Sequence, residues 1–69
     1  MQLTETDRLD EATHAVFEWG EQFGVTLGEL YELHSTNTLY GEEKYIIDNN
    51  GKENYGVLIC CTSILYKQQ

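Results

Sequence analysis

The spacing of apolar residues in the first third of the chain constrains its fold most strongly. Successive residues of an α-helix are about 100° apart. At that spacing five apolar residues fall within one stripe about 80° wide, while acidic residues fall on the opposite face; the apolar five are Leu9, Ala12, Val16, Trp19 and Phe23. The pattern predicts an amphipathic helix over about residues 5–23, which Gly24 would end.

A second, shorter helix is predicted to follow at once. Thr26-Leu27-Gly28-Glu29 matches a capping box, in which the first and last side chains satisfy backbone N–H groups at a helix N-terminus. The expected span is about residues 27–34. Leu27, Leu30 and Tyr31 would form its apolar side.

From Thr36 onward, β-branched and aromatic residues separated by turn signals replace the helical spacing. Three strands are predicted, at about residues 36–40, 43–48 and 53–66, with a tight turn at Gly41-Glu42 and a hairpin loop over 49–52. Between Val57 and Cys61 the third strand is apolar at every position, which is typical of a strand covered on both faces. The fold class is therefore α+β, with two N-terminal helices packed on a three-stranded antiparallel sheet and Trp19 buried between them.

Charge is concentrated in the half that is predicted to be helical. Residues 1–34 hold eight acidic residues and one arginine, whereas residues 35–69 hold four acidic residues and three lysines, within a total net charge of −8. A concentrated negative field repels nucleic acid and acidic membranes and attracts basic protein surfaces. We therefore expect a basic protein partner, and no direct binding to nucleic acid or to a membrane.

Carboxylates on one helix face would be spaced about 5–6 Å apart, which approximates the spacing of phosphates along a nucleic-acid strand. Small stand-alone inhibitors of nucleases, glycosylases and restriction or CRISPR complexes are similar in size and charge, a similarity of composition that rests on no motif. These features predict an acidic inhibitor that mimics DNA and blocks the basic cleft of a nucleic-acid-handling enzyme or complex. The predicted partner-binding residues are Asp7, Asp10, Glu11, Glu18, Glu21, Glu29 and Glu32.

Another interpretation remains open. The acidic face is also what an ordinary solvated helix surface would look like, with acidity serving only solubility. The chain would then be a small homo-oligomeric or accessory protein, such as a homodimer, whose apolar sheet around Val57–Cys61 forms the interface. Binding through carboxylates should weaken steeply with salt, whereas assembly through the sheet should persist or tighten.

No catalytic, metal or cofactor site is predicted. Cys60 and Cys61 would point to opposite faces of a strand, and no C-x-x-C or H-x-x-x-H spacing occurs. Asp48-Asn49-Asn50-Gly51 lacks the spacing of a calcium loop and is typical of a hairpin turn. The sequence also has no glycine-rich phosphate-binding loop and no Ser-His-Asp signature, so we expect a protein that is not an enzyme.

A chain of 69 residues is expected to form a single small acidic domain over residues 1–69. Neighbouring cysteines rarely form a disulfide because the bond strains the intervening peptide, so Cys60 and Cys61 are expected to stay reduced. The start of the chain does not have the pattern of a signal peptide. These features favour a cytoplasmic location, in the host cell if the protein is virus-encoded.

Overall fold

The computed structural model describes residues 2–69, which form a mostly β protein rather than an α+β one. Seven strands make two antiparallel sheets: β1 (Leu3–Thr6), β2 (His14–Phe17), β3 (Leu30–Glu32), β4 (His34–Thr38), β5 (Gly41–Ile47), β6 (Glu53–Asn54) and β7 (Ser63–Gln68). The described residues include one 3-10 turn, Glu21–Phe23, and one short helix, α1 (Val57–Cys60). No helix in this part of the chain is long and apolar enough to cross a bilayer.

The first predicted helix, over residues 5–23, is wrong. That segment contains β1, a loop over residues 7–13, β2 and the 3-10 turn. Phe17, which lies off the helical stripe, is fully buried, whereas Trp19, which lies on it, is 46 % exposed. Thr13-His14-Ala15-Val16-Phe17 has β-branched and aromatic residues that favour a strand, and as β2 it pairs on both sides, with β3 and with β7. A helix would instead have set Asp7 and Glu11 one turn apart, where their charges repel.

The second predicted helix, over residues 27–34, is also wrong. Residues 30–34 are extended, and Tyr31 and Leu33 are buried while Leu30 and Glu32 are exposed. That alternation has the two-residue period of a strand. The capping box and three apolar residues favoured a helix from local sequence, but the pairing of β3 with β2, which lies about 16 residues earlier in the chain, stabilises the extended conformation.

The predicted third strand, over residues 53–66, is divided. After β6 the chain forms α1, and the extended conformation returns only in β7. The Asn54 side-chain oxygen accepts a hydrogen bond from the Val57 N–H at 3.1 Å, and the Gly56 carbonyl accepts one from the Cys60 N–H at 2.9 Å. The apolar run therefore lies mainly on a helical turn, and only its first and last residues, Val57 and Cys61, are buried.

Two hairpins occur in the second half of the chain. The β4–β5 turn is at Leu39-Tyr40, and Gly41, which was predicted to be in the turn, begins β5 with a φ of 116°. The β5–β6 hairpin closes over residues 48–52, where the loop was predicted. Both hairpins belong to one sheet, whose strand order is β4-β5-β6.

In the other sheet, whose order is β1-β7-β2-β3, the C-terminal strand β7 lies between β1 and β2. The chain passes from this sheet to the second one at Leu33, the single residue between β3 and β4. Leu33 is buried, and its N–H donates a hydrogen bond to the Thr13 carbonyl at 2.8 Å. The two sheets are thus joined by one buried residue that is tied back to the start of β2.

The core takes residues from both sheets and from α1. Phe17, Ile46 and Val57 are its largest fully buried side chains. The Phe17 and Tyr31 rings meet edge to face, with centroids 5.7 Å apart, which matches the diagonal position set by the pairing of Ala15 with Tyr31. This core leaves the loops that carry most of the acidic residues at the surface.

Candidate functional site

The predicted partner-binding carboxylates lie mostly on loops. Residues 7–13 between β1 and β2 carry Asp7, Asp10 and Glu11, and residues 18–29 between β2 and β3 carry Glu18, Glu21 and Glu29. Glu32 is the last residue of β3. All seven are exposed, but they do not share a helix face, so the regular spacing expected of a helical DNA mimic is absent.

Few cations neutralise these seven carboxylates, which we call the acidic loop set. Arg8 binds Asp10 with a 2.9 Å ion pair, and His34 Nε2 lies 3.8 Å from Glu32. Among residues 2–69, the other five have no cationic side chain within 4.0 Å; they are Asp7, Glu11, Glu18, Glu21 and Glu29. These five carboxylates therefore have no ion-pair partner in the described part of the chain.

A closed set of three hydrogen bonds among Thr26, Tyr31 and Asn49 connects the 18–29 loop to the 48–52 turn. The Tyr31 hydroxyl accepts a hydrogen bond from the Thr26 N–H at 2.7 Å and donates one to Asn49 Oδ1 at 2.8 Å. Asn49 Nδ2 then donates to Thr26 Oγ1 at 2.8 Å. The Asn49 N–H also donates to the Gly24 carbonyl at 2.9 Å. The loop is therefore anchored at its centre, and its carboxylates project from a fixed backbone.

Asp48 has a structural part in the same region. Its carboxylate accepts hydrogen bonds from the N–H groups of Asn50 and Lys52 at 2.9 and 3.1 Å. Asn54 donates to the other carboxylate oxygen at 3.3 Å and to the Phe23 carbonyl at 2.9 Å. These hydrogen bonds lower the pKa of Asp48, and the bond from the Lys52 N–H has the largest effect. The Asp48 carboxylate therefore closes the hairpin turn formed by the residues that follow it.

A cleft of about 370 Å³ is the feature that sequence reasoning missed. It lies where the 7–13 loop meets the start of β5 and the segment from β6 to α1, and it is lined by Leu9, Asp10, Glu42, Glu43, Lys44, Tyr55, Leu58 and Ile59. Asp10 is the one predicted partner-binding residue among them. No local pattern marks such a site, because its walls come from three segments that are distant in sequence.

The cleft has an apolar wall and an acidic rim. Ile59 on α1 is 82 % exposed, and Leu9 is also exposed. Lys44 is the cleft's single basic residue; its side chain is 17 % exposed, and its Nζ lies 3.8 Å from a Glu42 carboxylate oxygen. The rim carries the carboxylates of Asp10, Glu42 and Glu43; Arg8 pairs with the first and Lys44 lies near the second, which leaves Glu43 as the carboxylate without a cationic partner among residues 2–69.

A row of three rings crosses β4, β5 and the residue after β6. The ring centroids of His34 and Tyr45 are 5.5 Å apart, and those of Tyr45 and Tyr55 are 4.9 Å apart. Burial is the largest cause of the raised pKa of Tyr55, and the negative charge of the nearby Glu53 is the next largest. The rings pack on one another as a cross-strand ladder rather than surrounding a space, so the arrangement stabilises the sheet and leaves no binding cage.

The tip of the β4–β5 hairpin exposes two large apolar side chains almost completely. Leu39 is 99 % exposed and Tyr40 is 98 % exposed. The Thr38 hydroxyl holds the turn, donating to the Gly41 carbonyl at 2.9 Å and accepting from the Tyr40 N–H at 3.1 Å. An ordered turn that presents two apolar side chains to water is a second surface feature which the sequence did not single out.

Cys60, Cys61 and His14 are side chains of the types that most often serve as nucleophiles, bases or metal ligands. Cys60 and Cys61 are both free thiols, and burial raises the pKa of Cys61, which favours the unreactive protonated form. His14 is buried, with Nδ1 2.9 Å from Thr13 Oγ1. Within residues 2–69 no group of three His, Cys, Asp or Glu residues has the geometry to hold a metal ion.

No known protein-family model, curated protein or solved structure matches this chain significantly. The acidic loop set, the cleft and the hairpin tip are the surface features of the molecule that bear on its function.

Proposed function

We propose that this chain is a non-enzymatic protein-binding domain that attaches to a basic surface of another protein through the acidic loop set. The observation that carries the proposal is the exposure of all seven carboxylates together with the absence of a cationic neighbour for five of them within residues 2–69. Surfaces that serve only solubility normally intersperse both signs of charge. A net charge of −8 on 69 residues also opposes the compact state through self-repulsion.

The anchoring of the loops supports this role. The hydrogen bonds among Thr26, Tyr31 and Asn49 fix the 18–29 loop, and Thr13 ties the end of the 7–13 loop to Tyr66 and Leu33 by backbone bonds of 2.8 Å. Charges held on a fixed backbone lose less conformational entropy on binding than charges on mobile loops. Long-range attraction would also speed the encounter with a basic partner.

The partner class that fits best is a nucleic-acid-handling enzyme or complex, because binding to phosphates requires a concentrated basic surface, which complements the acidic loop set. Occupying that cleft would inhibit the enzyme by excluding its nucleic acid. The support for this step is charge and size alone. The helical phosphate-like spacing no longer contributes, since the residues lie on two loops and a strand.

Affinity capture from the native host's lysate tests the proposal. The full chain is immobilised, and captured proteins are compared at about 50 mM and 500 mM salt, conditions between which screening increases severalfold. The proposal predicts a captured basic protein that is released by salt and by added duplex DNA. A captured protein that stays bound at high salt and is not displaced by duplex DNA would contradict the proposal.

One observation favours a second candidate, self-association through the hairpin tip. Leu39 and Tyr40 are far more exposed than apolar residues normally are, and a second copy that covered them would remove this surface from water. Sedimentation equilibrium at micromolar concentrations, at high salt to screen the net charge, would show a dimer that the Leu39→Ser and Tyr40→Ser double variant abolishes. A strictly monomeric mass excludes this candidate.

A further inference from the structure

We propose that the cleft beside α1 is a peptide subsite that takes an aliphatic side chain flanked by lysine or arginine. This inference rests on the proposed function, because it specifies which part of a basic partner enters the molecule and where. The subsite is separate from most of the acidic loop set, with which it shares Asp10.

The apolar wall of the cleft sets the kind of side chain that it accepts. Ile59 is 82 % exposed, and Leu9, Leu58 and Tyr55 line the same space. The volume of about 370 Å³ is at the small end of the range of ligand sites, which suits one or two side chains rather than a large cofactor. An aliphatic side chain placed there would cover Ile59 and gain the free energy of leaving water.

The rim of the cleft sets the charge of the residues beside that side chain. Asp10, Glu42 and Glu43 contribute three negative charges; Arg8 pairs with Asp10 at 2.9 Å and Lys44 lies 3.8 Å from Glu42, so the rim keeps a net negative charge that centres on Glu43. Glu43 has no cationic side chain within 4.0 Å among residues 2–69. Lysine or arginine on one side of the aliphatic residue would therefore meet the unpaired Glu43 carboxylate, and on the other side it would approach carboxylates that Arg8 and Lys44 only partly neutralise.

The same charges argue against other occupants. An anionic ligand or an acidic lipid surface would be repelled by the rim and by the net charge of −8. A second copy of this chain would bring an equally negative molecule to the same rim. A basic segment of a different protein is the occupant whose charge complements the site.

Two blocked hexapeptides of equal charge test the inference: Lys-Arg-Leu-Leu-Arg-Lys and Lys-Arg-Ser-Ser-Arg-Lys. Each is titrated into the ¹⁵N-labelled full chain, and amide shifts are followed by NMR. The leucine peptide is expected to bind about tenfold more tightly than the serine peptide, as burial of an aliphatic side chain implies. Its saturable shifts should centre on Leu9, Tyr55 and Ile59.

A matched pair of variants shows whether the difference arises in the cleft. Ile59→Ser removes an exposed apolar side chain from the wall of the cleft, whereas Ile47→Ser makes the same change at a partly exposed isoleucine on β5, outside the cleft. Ile59→Ser should reduce the tenfold preference for the leucine peptide to about one while the serine peptide binds as before. Ile47→Ser should leave both affinities unchanged, and the ¹⁵N spectra report directly whether each variant stays folded.

The outcomes separate this inference from the proposed function. Equal affinity for the two peptides, with shifts confined to the acidic loops, would overturn the peptide subsite and leave the acidic surface in place. Preference for the leucine peptide that Ile59→Ser does not change would also overturn it. Absence of binding by either peptide would count against both proposals.

Discussion

The backbone of Gly20 lies directly against the side chain of Cys61, so that a Cβ atom at position 20 would overlap with Cys61 Sγ. Gly20 also has a φ of 110°, a conformation that other residues rarely adopt. The contact packs the start of the 18–29 loop against the residue that follows α1. It therefore couples an acidic loop to the segment that forms one side of the cleft.

Gly20→Ala is expected to destabilise the protein by about 1–3 kcal/mol, through overpacking and strained backbone together. Urea denaturation measures the loss. Cys61→Ala removes the sulfur, so the double variant should lose less free energy than the two single variants combined. Strict additivity would show that the two residues do not meet.

Phe17→Ala should cost about 3–5 kcal/mol and leave the chain at the limit of folding, because Phe17 is fully buried in the core. Trp19→Ala should cost far less, since its side chain is 46 % exposed and its main specific interaction is a 3.1 Å hydrogen bond from Nε1 to Thr62 Oγ1. Chemical denaturation of both variants gives the order. The reverse order would favour the helical arrangement that the apolar stripe predicts.

Tyr31→Phe is expected to cost about 1–2 kcal/mol, because it keeps the ring against Phe17 but removes the hydroxyl that bonds Thr26 and Asn49. Amide hydrogen exchange should show faster opening at Thr26, whose N–H loses its acceptor. Tyr45→Phe is the control, since it retains a ring in the cross-strand ladder. Equal exchange at Thr26 in both variants would mean that the hydroxyl does not anchor the loop.

The stability contributed by the Asp48 charge should disappear in acid. Because its pKa is lower in the folded state than the ordinary value of about 3.9, ionised Asp48 stabilises the fold above that value. This contribution is lost as the pH falls through the folded pKa. The free energy of unfolding of the wild type should therefore exceed that of Asp48→Asn most above about pH 5, and the two should converge toward pH 2. A difference that stays constant with pH would contradict the assignment.

The sequence correctly predicted the structural features that depend only on neighbouring residues. The 48–52 hairpin follows from Asn50-Gly51 between extended runs, and Gly51 has the positive φ of 77° that such a turn requires. The exposure of Glu11, Glu18 and the other predicted carboxylates follows from the cost of burying charge, which does not depend on the fold.

The predicted helices were wrong because pairing between strands that are far apart in sequence determines the conformation of these segments. His14 pairs with Tyr66 and Phe17 with Ser63, and these contacts outweigh a helical apolar spacing that only five residues support. The cleft could not be predicted for the same reason. Leu9, Glu42 and Ile59 share no sequence pattern, and only the sheet topology brings them together.

The central claim is that a basic partner binds the acidic loops specifically and not merely the net charge, and two charge-matched variants test it most directly. Glu11→Gln with Glu18→Gln, and Gln2→Lys with Gln68→Lys at exposed positions outside both the acidic loop set and the cleft, each bring the net charge from −8 to −6. The measurement is the dissociation constant of the captured partner, by calorimetry at about 150 mM salt, for the wild type and both variants. The account predicts that the loop variant weakens binding about tenfold or more, while the Gln2 and Gln68 variant binds within about twofold of the wild type. Equal weakening by both variants, or none by the loop variant, would contradict it.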